Sequence, residues 1–341
     1  MKVGFDISQL AFPGGVSSYL KNLALRLGKR KDLDMIYFYS SLRRNYAGSL
    51  KNVKSFRIPP TILEPLFNRL RVLPIEAFIG KVDVFHSSDW TQPPSRAKKV
   101  TTFHDVIPLK FPELSVPKNV NVHKRRLELV EREIDVVIAV SQSTKNDLIE
   151  ISNISEEKIK VVYEAAGEEF VPQPDKKIEV FRKKFGLPKK FILAIGGIGN
   201  RRNLQRAKQA AGRYNLVITG ETIPQVSDAD MPLLYSAATV LLYPSLYEGF
   251  GLPILEAFGC GCPVVTSDCS GMSEVAGDAA ILVDPKNLES IKEGIREAIA
   301  ERERLREKGF VRAKNFSWEK CAAETVDVYN SIYQRSQILH G

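Results

Sequence analysis

Glu248 and Glu256 are separated by seven residues, Gly249-Phe250-Gly251-Leu252-Pro253-Ile254-Leu255, and the order of those seven gives the two carboxylates different roles. The run Val240-Leu241-Leu242-Tyr243 ahead of them reads as a strand that ends at Pro244. A glycine-rich turn follows, and a helix is expected from about Leu252 with Pro253 in its first turn, where a missing N–H does no harm. The start of such a helix offers unpaired backbone N–H groups and a positive dipole end, which suits a diphosphate. Glu248 precedes the turn and can reach a group beside the phosphates. Glu256 lies about one turn inside the helix and can accept hydrogen bonds from vicinal hydroxyls such as those of a ribose. In the first half, Gly14-Gly15 before Val16-Ser17-Ser18-Tyr19-Leu20 reads as a glycine turn opening a helix, at a ligand-facing edge of an open α/β sheet.

The elements that must position these residues alternate short β-branched runs with amphipathic stretches, the pattern of βα units and parallel sheets covered on both faces. Strands are expected at 3–7, 35–39, 53–57, 82–86, 100–103, 136–140 and 159–163. Around 163–190 the pattern breaks into a charged, proline-containing passage, expected as a linker over 166–190. A second series follows, with strands at 191–195, 216–219, 240–243, 263–266 and 279–283. One long amphipathic helix is expected from about Asn287 to Lys308, and another from Phe316 through Tyr333. A length of 341 residues agrees with two cores.

The net charge of +9 is uneven: residues 1–165 hold 26 Lys and Arg against 18 Asp and Glu, and residues 166–341 hold 23 against 22. A basic first half suits an anionic partner or plain solvation, and charge alone does not choose between them. No stretch is apolar and long enough to cross a bilayer, and the N-terminus lacks the layout of a secretory signal, so a cytoplasmic location is expected. Cys260, Cys262, Cys269 and Cys321 are expected as buried reduced thiols, because Cys260 and Cys262 flank a single glycine and have no zinc-ligand spacing. His123 and His340 are expected at the surface.

From Ser245 to Glu256 the chain resembles the retaining nucleotide-sugar glycosyltransferases of the GT-B fold, glycosyltransferase family 4, whose signature is a glutamate, seven residues and a second glutamate around Gly-Phe-Gly-Leu-Pro. Gly259-Cys260-Gly261-Cys262-Pro263 and Phe316-Ser317-Trp318 continue in the family's order. Ile195-Gly196-Gly197-Ile198-Gly199-Asn200-Arg201-Arg202-Asn203 is similar to its donor-domain loop, which usually reads Arg-Lys-Asn. More loosely, Pro13-Gly14-Gly15-Val16, Phe85-His86-Ser87-Ser88 and His104-Asp105-Val106-Ile107-Pro108 resemble its N-terminal half.

The resemblance implies an α/β chain with two Rossmann-like domains facing across a cleft. The acceptor domain would span 1–165, with a terminal helix at about 317–341 packing back on it, and the nucleotide-sugar domain would span 191–316. Glu248 would contact the transferred sugar, Gly249, Phe250, Gly251 and Leu252 would offer backbone to sugar and phosphate, and Glu256 would hold the ribose. Arg201 and Arg202, with Gly197 in the same loop, would neutralise the leaving diphosphate, and His104 would lie near the donor sugar. Arg202 stands where the family has lysine, and roughly one βα unit is missing between Leu204 and Met231.

The implied reaction moves a hexose from a nucleotide diphosphate sugar, GDP-mannose or a UDP-sugar, to a sugar, polysaccharide or lipid-linked acceptor, with no metal and no nucleic acid. The stretch His104–Glu113 looks most like that of bacterial mannosyltransferases. Leu63–Ile79, apolar residues interleaved with Arg69 and Arg71, could add peripheral contact with an anionic membrane. The alternatives are a nucleotide-sugar-binding protein without transfer activity, or another GT-B enzyme such as an epimerase or a phosphorylase.

Overall fold

The computed structural model describes residues 1–12, 14–87, 90–197 and 200–340, without the side chains of 335–340. Pro13, Ser88, Asp89, Ile198, Gly199 and Gly341 lie outside the described residues, as does the side chain of His340. The chain divides into two compact units, Glu164–Ser317 and the remainder on either side of it.

The first unit holds a seven-stranded parallel sheet: β1 (Lys2–Asp6), β2 (Asp34–Ser40), β3 (Val53–Phe56), β4 (Val84–Ser87), β5 (Lys98–Phe103), β6 (Val136–Ala139) and β7 (Ile159–Val161), in the order β3-β2-β1-β4-β5-β6-β7. β1, β2, β4 and β6 are buried almost end to end, which only a sheet covered on both faces demands of its strands. Strand order reverses between β1 and β4, where Phe5 registers with His86.

Helix Gly15–Leu27 follows β1, and the Trp318–His340 helix packs against it. Arg26 Nε donates to Glu319 Oε1 at 2.8 Å, and Trp318 lies 6.0 Å from the Tyr19 ring. His86 fixes the same helix from beneath, with Nδ1 2.7 Å from the Tyr329 hydroxyl and Nε2 2.8 Å from Thr102 Oγ1. Burial pushes the His86 imidazole down to about 3, so it is neutral and acts as a structural pin.

The second unit holds β8 (Ile192–Ala194), β9 (Leu216–Ile218), β10 (Val240–Tyr243), β11 (Val264–Ser267) and β12 (Ile281–Val283), all parallel, in the order β12-β11-β10-β8-β9. Here the reversal falls between β8 and β10. Helix Leu204–Ala211 and β9 are followed by a short turn and helix Met231–Ala237, which leads into β10.

The structure corrects several expectations. Residues 166–190 carry a helix, Asp175–Phe185, which buries Ile178 and Phe181 and packs on helix Met231–Ala237. The single helix expected over 287–308 is two, Leu288–Ala300 and Arg302–Ala313, parted at Glu301. Their partners differ: Gly294 of the first approaches Val283 on the sheet, and Gly309 of the second approaches Phe258 on helix Leu252–Gly259. One straight rod would not reach both. His123 is 6% exposed, not at the surface, with its ring 5.7 Å from that of Trp90. Cys269 is only partly buried, whereas the other three thiols are buried.

Leu63–Ile79 is not one helix: a helical run from Pro60 passes through Pro65 to Leu70 and stops at left-handed Arg71, and a separate short helix, Glu76–Ile79, follows Pro74. Phe67, Ile75 and Ile79 face the core, and Leu70, Val72 and Leu73 are exposed.

Candidate active site

Two loops of the second unit leave the carboxyl ends of β8 and β10, the neighbouring strands between which the order reverses. In an open α/β sheet that crevice is where ligands bind. The β8 loop can lie close because it has no side chain at its start: a Cβ on Gly196 would stand 1.9 Å from the Thr219 carbonyl oxygen. A Cβ on Gly197 would stand 3.2 Å from Arg202 Cγ. The loop then makes one turn of 3-10 helix at Asn200–Arg202, and Arg201 O accepts from Leu246 N at 2.9 Å, tying it to the β10 loop. Asn203, left-handed and 5% exposed, donates from Nδ2 to the carbonyls of Pro244 and Pro285 at 3.0 and 2.7 Å, fixing the ends of two strands together.

The β10 loop carries Glu248, 7% exposed. Its backbone is held on both sides, since Glu248 N donates to Ser270 Oγ and Gly271 N donates to Glu248 O, each at 3.1 Å. Its carboxylate lies 3.4 Å from Arg201 Nη1 and 3.2 Å from Arg202 Nη1. Oε1, the oxygen facing Arg202, is buried and has no hydrogen-bond partner among the described residues, so the guanidinium charge is its compensation. Arg202 lies over the Tyr243 ring at 4.7 Å and donates to its hydroxyl. Aromatic and carboxylate together fix the direction of a guanidinium that offers five donors.

Gly251, at φ +118, a region in which side-chain-bearing residues are strained, starts helix Leu252–Gly259 with Pro253 in the first turn. Glu256, one turn in, accepts at Oε2 from the Tyr235 hydroxyl at 2.7 Å. Although the residue is only half-buried, protein atoms enclose the carboxyl. That desolvation comes first in pushing it up to about 7, and Asp228 and Glu169 add to it, whereas the Tyr235 bond and Arg202 oppose it.

The structure thus brings Arg201, Arg202, Glu248 and the Gly249–Leu252 turn into one constellation with Glu256, over which the Arg202 charge also acts. Sequence reasoning missed Tyr235 and Ser270 and gave no role of their own to Tyr243 and Asn203, which it quoted only within motifs; the links of all four to the site run between separate βα units. It also passed over an Asp-x-Asp spacing, Asp228-Ala229-Asp230. Asp230 pairs with Lys184 at 3.4 Å, and Asp228 is exposed.

In the first unit, Gly14 at φ +134 precedes helix Gly15–Leu27, and Tyr19 of that helix meets the His104 ring edge-on at 4.6 Å. His104 therefore meets the side of the helix that Gly14 and Gly15 open, on a different unit from the carboxylates. A cavity of about 410 Å³ opens beside the carboxyl ends of β1 and β2, lined among others by Asp6, Gln9, Phe12, Leu63, Trp90 and Thr91. Asp6 Oδ2 accepts from Thr91 Oγ1 at 3.3 Å, and Oδ1 from Ser8 N at 2.9 Å.

Comparison with known proteins finds glycosyltransferases. Residues 13–166 match the family model described as Glycosyltransferase Family 4, and residues 144–312 match the one described as Glycosyl transferases group 1. O-antigen chain mannosyltransferase B of Escherichia coli is 29% identical over 283 residues, 73% of this chain and 74% of that protein. Sucrose-phosphate synthase from Thermosynechococcus elongatus superposes with a TM-score of 0.78 at 18% identity, covering 98% of this chain and 99% of the other. HepE of Anabaena, solved with UDP and glucose, superposes at 0.72 and 18% identity over 97% of this chain and 100% of its own.

Proposed function

Because the chain belongs to the glycosyl transferases of group 1, enzymes of the GT-B fold, we propose that it transfers a hexose with retention of configuration from a nucleotide diphosphate sugar bound by its second unit. The observation that carries this is Glu248, clamped by backbone with its carboxylate buried between two arginines, at the strand-order reversal of that unit. The diphosphate would take the place of Glu248 as partner of Arg201 and Arg202, and the start of helix Leu252–Gly259 would offer N–H groups to it. In the transfer, the bond from sugar C1 to the diphosphate oxygen breaks and its electron pair stays with the diphosphate. The acceptor oxygen bonds to C1 from the same face, and its proton passes to the leaving diphosphate. The two guanidiniums stabilise the charge that develops there, which leaves no step that demands a metal.

The donor proposed is GDP-mannose, by similarity to the O-antigen mannosyltransferase, with a UDP-sugar as the alternative that HepE favours. The acceptor is proposed to be a glycan or lipid-linked sugar held by the first unit. Its cavity offers Trp90 for stacking on a sugar face and the Asp6 carboxylate for hydroxyls. The test is incubation with labelled GDP-mannose and UDP-glucose in EDTA, with and without oligosaccharide or lipid-linked acceptors, followed by separation of the products. Glycosylated product with the anomeric configuration of the donor is expected. Epimer or free sugar alone, or product only after a divalent metal is restored, would overturn the reading.

A further inference from the structure

The hydrogen bond from Tyr235 to Glu256 spans two βα units, since Tyr235 belongs to the helix before β10 and Glu256 to the helix after it. Tyr235 is fully buried, with Phe170 edge-on at 6.0 Å, so its phenol has a fixed direction. Burial, followed by the Glu256 charge, raises its ionisation well above the ordinary range, and it remains a donor throughout the working range of pH. Donation to Oε2 leaves Oε1 and the second lone pair of Oε2 for other donors.

We propose that Tyr235 is a positioning residue that holds the ionised carboxylate of Glu256 for the ribose hydroxyls of the donor nucleotide, so that one proton on Glu256 gates donor capture. This rests on the donor site described under the proposed function. Charged or titratable groups act on Glu256 from every side: Asp228 ahead of the Tyr235 helix, Glu169 in the segment entering the unit, Arg202 after β8, and Cys260 at the end of its own helix. Desolvation and the two acids favour the proton, and Tyr235 and Arg202 oppose it, which sets the change near neutral pH. A protonated Glu256 loses the charge-assisted bonds to the ribose and turns one acceptor into a donor.

The experiment measures affinity for GDP-mannose and UDP-glucose from about pH 5.5 to about pH 9 by calorimetry, without acceptor, for the wild type, Tyr235→Phe and Glu256→Gln. The diphosphate of a nucleotide sugar has no terminal phosphate to titrate in that range. For the wild type, the dissociation constant should rise roughly tenfold per pH unit below a midpoint near neutrality. Tyr235→Phe should move the midpoint upward and recover near wild-type affinity at the alkaline end, whereas Glu256→Gln should bind weakly with a flat profile. A uniform loss at every pH in Tyr235→Phe would make the tyrosine a packing residue only, and a slope retained in Glu256→Gln would assign the proton elsewhere. Either result overturns the inference and leaves the donor site standing, as does binding that is tight and flat in the wild type. Failure of both nucleotide sugars to bind at any pH removes the site reading and the inference with it.

Discussion

At the scale of single residues, Glu248 and Glu256 face opposite demands. Glu248 lies between two guanidiniums, and we predict that Glu248→Gln lowers kcat on the order of a hundredfold or more while changing the donor KM little, because the substitution is felt by the reacting sugar. Steady-state kinetics decide this, and a KM effect with unchanged kcat would move Glu248 out of the chemistry. Glu256 costs stability. Its carboxyl titrates near 7 in the folded chain and at about 4.5 in the open chain, so between those values the folded state binds more protons and stability falls as pH rises. Glu256→Gln should therefore melt higher than the wild type at pH 8, by on the order of 2 kcal/mol after discounting the part that solvent screens, and nearly the same at pH 5. Thermal denaturation at the two pH values tests this; equal shifts at both would mean that the carboxyl is not strained. Both glutamates were legible in the sequence because a turn and a helix start leave a local pattern. Tyr235 and Asn203 were not, because they meet partners 21, 41 and 82 residues away, at distances set by strand order.

At the scale of elements, the β10 loop holds its shape through a close approach. A Cβ on Gly271 would stand 2.3 Å from the Gly249 carbonyl oxygen and 2.8 Å from Phe250 Cα, both backbone atoms that can give way only by moving the loop. We predict that Gly271→Ala costs about 1–3 kcal/mol and at least tenfold in kcat, since the Gly271 N–H also holds the Glu248 carbonyl. Melting and turnover should fall together; a folded, fully active variant would show that the turn tolerates displacement. The twelve strands among the described residues fall on expected runs, most because buried parallel strands read as near-continuous apolar runs, whereas β3 (Val53–Phe56) alternates apolar and polar residues at the sheet edge. The break at Glu301 was not legible, because no proline or glycine stands at it and charged residues run across it without interruption. The helix at Asp175–Phe185 was obscured by the prolines and charges around it.

At the scale of the whole molecule, charge is the property that most distinguishes the first half of the chain. Its excess of cations stands with Leu70, Val72 and Leu73 exposed beside Arg69, although the rest of that stretch is core. We predict that the protein floats with liposomes in proportion to their anionic lipid and is released by salt, which screens beyond about 10 Å at 0.1 M. If it stays with the soluble fraction on every lipid, the exposed leucines do not seat in a bilayer. The position of the Trp318–His340 helix carries a further consequence, for the order in which the protein comes into being. The sheet of the first unit is complete at β7, but the helix that covers Tyr19 and hydrogen-bonds His86 is made only after the second unit. At about 5–20 residues per second, a ribosome needs roughly eight to thirty seconds to cross from Tyr163 to Trp318. For that interval the unit translated first stands unfinished, while the unit translated second has all its strands and can close on its own.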